Sequence, residues 1–437
     1  MKTIRIAAAA VLSIIIPSAL MAQAALPADS VSLNAALRQV IENYPAIEKS
    51  VQESKAADAR VGLAKTSYYP DISINSTYSR IGPVSSFTLP GYGTFSLYPE
   101  NNFSATINYN QVIYDFGKTA KGVNYEKQNR ELVNTSSVAL RQKISLSVVN
   151  VYYSIVFLQE AIRIKNEQIS TLNEHLTYVE KKQETGSATK YDILTTQVKI
   201  SSLESQKTDL QTVLKTVVCQ MNSLLGTTES NTLVLKRDLQ PFAPVPATDS
   251  LLSLASALRP EMKLAAQRTE LAELRYKVIN NQNNPSINLF SAVGFKNGYT
   301  PDIDKEKANY AVGLGLKVPV YDAGRKKNNL IQAKADIECS KQDEELTRRA
   351  VVNEVIENQA NLEAAIQKIA QTELQLQQAK QAYALAEVSF KSGVITNLEL
   401  LDSSTSLSEA RLAVLKARID YSQSLMKLKI ATGEQIY

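Results

Sequence analysis

The chain has 437 residues, with 48 Lys and Arg against 43 Asp and Glu and a formal net charge of +5. That balance is too mild to organise a nucleic-acid partner. One histidine, two cysteines and no tryptophan leave almost nothing from which to build a His-based metal centre, a catalytic triad or a disulfide scaffold, so no metal, cofactor or enzymatic role is expected.

Residues 1–24 read as a secretory signal: Lys2 and Arg5, the apolar run Ile6 to Ile16, then the small cleavage motif Ala22-Gln23-Ala24. The apolar run is too short to span a bilayer, and no later stretch is expected to approach the roughly 20 apolar residues that a spanning helix needs. An exported chain without a helical anchor follows. Cys219 and Cys339 are expected to be free, buried thiols, and His175 one more helix-surface residue.

Ser32 to Lys65 reads as a helix with Leu33, Leu37, Val40 and Ile41 on one stripe, interrupted near Pro45. Past Pro70 the period changes to two. Ile72, Ile74 and Tyr78 alternate with Ser73, Asn75, Thr77 and Ser79; after a loop from Ile81 to Asn102, Phe103, Ala105, Ile107, Tyr109 and Ile113 alternate with Ser104, Thr106, Asn108 and Asn110. Two strands and a long loop make a hairpin over about 71–113. A helical arm then runs out from Gly117, turns at Gly186 and returns to Gly226, filling 118–226. Residues 227–250, with Pro241, Pro244 and Pro246 and a strand-like Leu233-Val234-Leu235, are a connector against the outside of the helices.

The figure then repeats. Gly117, Gly186 and Gly226 return as Gly324, Gly393 and Gly433 at one offset of 207, while Pro45 and Pro70 return as Pro260 and Pro285 at an offset of 215. The eight-residue change falls in the loop, which holds 22 residues in the first half and 14 in the second. The two halves are therefore 25–226 and 251–437, the second with a hairpin over about 287–318 and a helical hairpin over 325–433. Its strands alternate Ile287, Leu289, Val293 and Phe295, then Tyr310, Val312, Leu314, Leu316 and Val318, against small or polar residues.

Each strand is about ten residues long, as a tilted membrane-spanning strand is, with an apolar face carrying aromatics and a small, uncharged polar face. Four strands do not close, and lipid tolerates no open sheet edge. A barrel must be shared between chains; two copies would give eight strands and three would give twelve. Each long arm would reach roughly 100 Å at about 1.5 Å per residue. Its seams are narrow, as in Ile155, Leu158, Ile162, Ile169, Leu172, Leu176 and Val179 on the first arm and Leu407, Ala410, Val414, Ala417, Tyr421, Ser424 and Leu428 on the last. That is coiled-coil spacing, suited to a wall around a channel.

At the two helical turns Gly186 and Gly393 take a left-handed conformation, and Thr189 and Thr396 cap the next helices in boxes with Asp192 and Glu399. Helix capping accounts for both acids. Asp402, one turn deeper on the face of Glu399, is not needed for it, and in a symmetric oligomer such carboxylates become rings that favour cations.

The doubled spacing, the Val318 to Arg325 run Val-Pro-Val-Tyr-Asp-Ala-Gly-Arg and the Gly-x-x-Thr turns resemble the TolC-like outer membrane efflux protein family over nearly the whole mature chain. The resemblance implies an α+β membrane protein: a homotrimer whose 12-stranded β-barrel, four strands per chain, stands in outer membrane lipid and continues as a coiled-coil barrel in the periplasm. It implies an outer membrane channel of a tripartite efflux or type I secretion system. The turns around Gly186, Thr189, Gly393 and Thr396 would dock a periplasmic adaptor, the membrane fusion protein of an inner-membrane transporter. Asp192, Glu399 and Asp402 would form the periplasmic gate. Other members lock that gate with a Tyr three before the second glycine and an Arg two after it, where this chain has Phe390 and Ile395. The competing reading is a periplasmic coiled-coil structural or adaptor protein, which has no use for strands with a lipid-type face.

Overall fold

A computed structural model describes residues 31–227 and 234–436; the signal at 1–24 and Leu233 of the connector lie outside the described residues. The first helices are α1 (Leu33–Asn43) and α2 (Pro45–Thr66). The hydroxyl of Ser32 accepts from the Ala35 N–H at 3.3 Å and starts α1. Tyr44, held extended at φ −73 and ψ 125 by the proline after it, separates the two.

Strand β1 (Asp71–Arg80) pairs antiparallel with the strand 101–114, as the alternation requires. Between them the stretch read as a plain loop folds its own small hairpin, β2 (Ser86–Leu89) with β3 (Gly93–Ser96), which stacks Phe87 on Phe95 with centroids 5.8 Å apart. The returning strand is β4 (Asn101–Tyr114). Its register shifts between Val112 and Tyr114, which puts Tyr114 opposite Ile287. Ile113 is thus the extra residue of a bulge and not the last member of the alternating apolar set.

Helices α3 (Lys118–Glu184) and α4 (Lys190–Leu225) follow, then α5 (Thr248–Leu258) and α6 (Pro260–Asn280), separated by Arg259 at φ −71 and ψ 124 as α1 and α2 are by Tyr44. Strands β5 (Ser286–Lys296) and β6 (Lys307–Lys317) lead into α7 (Arg325–Lys391) and α8 (Asn397–Ala431). The first and third arms, α3 and α7, each span 67 residues. One four-stranded antiparallel sheet runs β1-β4-β5-β6. Within this chain β1 and β6 each have an unpaired edge.

Register sorts the sheet by face. Ile74, Ile107 and Val293 lie in one cross-strand row with Tyr310, and Asn75, Thr106 and Gly294 in the next with Asn309. Every row of the first kind is mainly apolar and every row of the second mainly small or polar. Ile74 and Val312 are 75% and 68% exposed, far from the burial that such residues find in a soluble sheet.

The turns into α3 and α7 share one device. The Asp115 carboxylate accepts from the backbone N–H of Gly117 and Thr119, and that of Asp322 accepts from Gly324 and Lys326. Phe116 and Ala323, at φ 52 and 54, sit in the left-handed region usually left to glycine. The Asp cap holds them there.

The helices share two main cores. In the first, Val148, Val149, Tyr152 and Ile155 of α3 meet Leu415, Ile419 and Met426 of α8 and the stripe of α1. In the second, Val351, Val355, Leu362 and Ile369 of α7 meet Ala417, Tyr421 and Leu428 of α8. The sequence seam of α8 is the α7-facing one; a second stripe facing α3 is interleaved with it. Buried tyrosines strap the connector down. The Tyr152 hydroxyl lies 3.1 Å from the Val31 carbonyl and 2.7 Å from that of Lys236, and Tyr421 donates to the Pro241 carbonyl at 3.1 Å.

Two expectations need correction. Cys219 and Cys339 are free but exposed, because each lies on an outward helix face. And α3 does contain a stretch long and apolar enough to cross a membrane; more than half of it is buried among the other helices, which is why it is apolar.

Candidate functional site

The two helical turns lie together at the end of the long arms remote from the sheet. Each begins with a helix stop. Gly186 at φ 74 lets the Ser187 N–H reach the Lys182 carbonyl at 2.8 Å, and Gly393 at φ 77 lets Val394 reach Ser389 at 2.9 Å. Each then starts a helix. The Thr189 hydroxyl accepts from the Asp192 N–H at 3.2 Å, while the Asp192 carboxylate accepts from the Thr189 N–H at 2.9 Å. Thr396 and Glu399 repeat both bonds, at 3.3 and 2.7 Å. The Thr396 N–H, followed by its hydroxyl, holds the Glu399 carboxyl below the usual carboxylate range.

Within one chain the three acids share no hydrogen bond. Asp192 and Glu399 are each used by their own cap, and Asp402 stands exposed with no side-chain partner among the described residues. What joins the turns is a residue the sequence reading passed over. Asn397, the first residue of α8, is 3% exposed. Its amide donates to the Asp192 carbonyl at 3.0 Å and to the hydroxyls of Thr195 and Thr196 at 3.2 and 3.1 Å. Its oxygen lies 2.6 Å from His175 Nε2. With the amide hydrogens committed to α4, that oxygen accepts, and the imidazole donates from Nε2.

His175 is therefore not a surface residue of α3 but part of this junction. Burial, the largest influence on it, pushes its pKa down; the Asn397 bond and the charges of Asp192 and Glu387 pull up, and Lys182 pushes down. Phe390 stands edge-on to the imidazole at 5.0 Å and beneath Lys182 Nζ at 5.0 Å. Phe390 packs with Val179 and Leu400, and Ile395 lies against them. The two positions where the resemblance implies lock residues are filled here by apolar contact. One signal was available: under the offset of 207, Asn397 and His175 replace Lys190 and Ala382, where the halves differ.

No group of three or more His, Cys, Asp or Glu placed to hold a metal ion occurs among the described residues. The tip carries two capped carboxylates, Asp192 half-buried and Glu399 exposed, and the uncapped, exposed Asp402, beside a buried polar knot.

The chain resembles known proteins along nearly all of its length. It is 23% identical over 406 residues to the outer membrane protein TolC of Vibrio cholerae, covering 90% of this chain and 89% of that one. It is 24% identical over 407 residues to the alkaline protease secretion protein AprF of Pseudomonas aeruginosa, covering 90% and 82%. Among solved structures, the outer membrane protein VceC of Vibrio cholerae superposes with a TM-score of 0.78 at 19% identity, over 93% of this chain and 97% of that one, which establishes the shared fold. The outer membrane efflux protein profile matches residues 36–227 and 251–434. The chain belongs to the outer membrane efflux protein family.

Proposed function

We propose that three copies of this chain enclose a passive exit duct through the outer membrane. The halves 25–226 and 251–437, joined by 227–250, are read as two repeats that each supply two strands and a helical hairpin. Four strands per chain give a 12-stranded barrel in lipid, and the helices continue it as a tunnel through the periplasm. An inner-membrane transporter drives the cargo through a periplasmic adaptor, which docks on the turns at Gly186, Thr189, Gly393 and Thr396. The chain itself catalyses nothing. Asp192, Glu399 and Asp402, tripled by symmetry, ring the periplasmic mouth and favour cations over anions there.

The observation that carries this reading is the sheet: apolar on one face, small and polar on the other, and unpaired at both edges β1 and β6. In lipid those edges must find partners in other copies. Detergent-purified protein should run as a trimer by mass measurement and open cation-selective channels in a planar bilayer. A stable monomer that inserts no channel would overturn the reading, and failure to capture an adaptor by crosslinking in the periplasm would remove its tripartite part.

A further inference from the structure

The join between the two helical hairpins of the chain is apolar above and below and polar in between. Ile164 of α3 and Leu415 of α8 belong to the first core. Nearer the turns, Ile169 and Leu172 of α3 cluster with Leu401 of α8, and Val179 with Leu400. Between these two levels the buried positions of α8 are serines: Ser404 and Ser408 are 6% and 4% exposed, and α3 brings Gln168 to the same level at 7%. The three line a pocket of about 70 Å³, bounded also by Ile164 and Leu407, by Tyr383 of α7 and by Glu167 and Arg411.

Polar atoms in this pocket lack protein partners. Neither the oxygen nor the nitrogen of the Gln168 amide has a hydrogen bond among the described residues, and neither has the Ser408 hydroxyl. Flipping the amide changes nothing, since both of its ends are bare. Buried amides and hydroxyls in folded proteins are bonded with few exceptions, because an unmade bond there costs the full desolvation of the group. The charges at the pocket are already spent. Glu167 accepts from Arg163 at 2.5 Å and from Arg411 at 3.3 Å, and the partial exposure of the Glu167–Arg411 pair puts it at the open end. The Thr171 hydroxyl donates to the Glu167 carbonyl at 3.1 Å. A guest that satisfies Gln168 and Ser408 is therefore small, uncharged and able both to donate and to accept. Water meets all three conditions, and at roughly 30 Å³ each two molecules fit.

We propose that this pocket is a water site: two ordered waters bridge Gln168 of α3 to Ser408 of α8 and complete, within each chain, the seam between its two helical hairpins. All of the residues that form it belong to one chain, so the proposal stands or falls apart from the channel reading. The test is a pair of high-resolution crystal structures of the full chain grown with rubidium chloride, one of the parent and one of Gln168→Met/Ser408→Ala. Methionine is unbranched and close to glutamine in length, so the double variant deletes the unpartnered atoms and keeps the packing. The parent should show ordered density within about 3.2 Å of the Gln168 amide and of the Ser408 hydroxyl, with no anomalous signal from rubidium. The double variant should lose that density while its helices keep their places. If the double variant does not assemble, Ser408→Ala, which deletes one hydroxyl, should lose one of the two waters. A parent pocket without density overturns the proposal, as does a side chain of a neighbouring copy filling it. A rubidium peak in the pocket overturns it in favour of a cation. Density that persists unchanged in the variants overturns the assignment to Gln168 and Ser408.

Discussion

At the scale of single residues the tip depends on Asn397. Four of its bonds cross between helices, and none is available to alanine. Asn397→Ala strands the His175 N–H in a partly buried site, which costs about 1–3 kcal/mol, while the Asp192 carbonyl keeps the Thr195 and Thr196 hydroxyls. Hydrogen exchange should register that loss at the amides around Gly186 and Gly393 while the strand amides stay protected; unchanged turn amides would refute it. Acid should act on the same junction. The pKa of His175 is pushed below 6.5 by burial, so the folded junction prefers the neutral ring. Its contribution is complete above 6.5 and is lost as pH falls from there through the lower folded value. Glu399 responds later: its pKa lies below 4.5, and its cap survives until pH falls through that lower value. Exchange at the turns, corrected for intrinsic rate, should therefore accelerate as pH falls below 6.5 in the parent and not in His175→Gln, which keeps a donor without the titration. Asp402 has no such structural duty. Asp402→Ala should leave exchange unaltered and weaken block by multivalent cations about tenfold, since the proposed ring would lose three charges.

At the scale of elements, legibility followed the number of neighbours. Strands β1, β4, β5 and β6 each bury nothing within the chain and alternate plainly, so the period of two was readable. Helix α8 was read as a single seam through Ala410, Ala417 and Leu428, but it packs on α7 and α3 at once. Its second stripe, Leu415, Ile419 and Met426, blurs the period because two narrow seams offset on one helix resemble no seam. The β2–β3 hairpin escaped notice because Gly, Pro and Ser signal a loop whether or not its ends pair. The capping boxes were legible because their spacing is local. The Asn397 knot spans 222 positions to His175, and nothing local announces it. The connector offers a direct test of element packing. Tyr152 is wholly buried and holds two backbone carbonyls. Tyr152→Phe removes that buried hydroxyl bond, at about 1 kcal/mol, while the Val31 and Lys236 carbonyls keep the N–H groups of Lys236 and Asp238. Limited proteolysis should then cut within residues 234–247 faster than in the parent, with the helical turns untouched.

At the scale of the whole molecule, the decisive property is which face of the sheet meets lipid, and neighbouring residues on one strand can test it. Ala311 and Val312 of β6 pair with Ala292 and Ser291, so they lie in adjacent rows and point to opposite faces. A lysine at position 312 would sit near mid-strand on the apolar side, where a cation facing the bilayer midplane costs about 2–4 kcal/mol per chain. In the proposed trimeric barrel three chains multiply that penalty. A lysine at 311 would face the polar side with its ammonium in water and should change ion selectivity without harming assembly. Val312→Lys should therefore lower the yield of SDS-resistant oligomer in the outer membrane fraction, while Ala311→Lys assembles normally and conducts with reduced preference for cations. The reverse pattern would mean that the faces are exchanged. Equal tolerance of both would mean that the sheet lies in water, because only lipid distinguishes two exposed positions 3–4 Å apart along one strand.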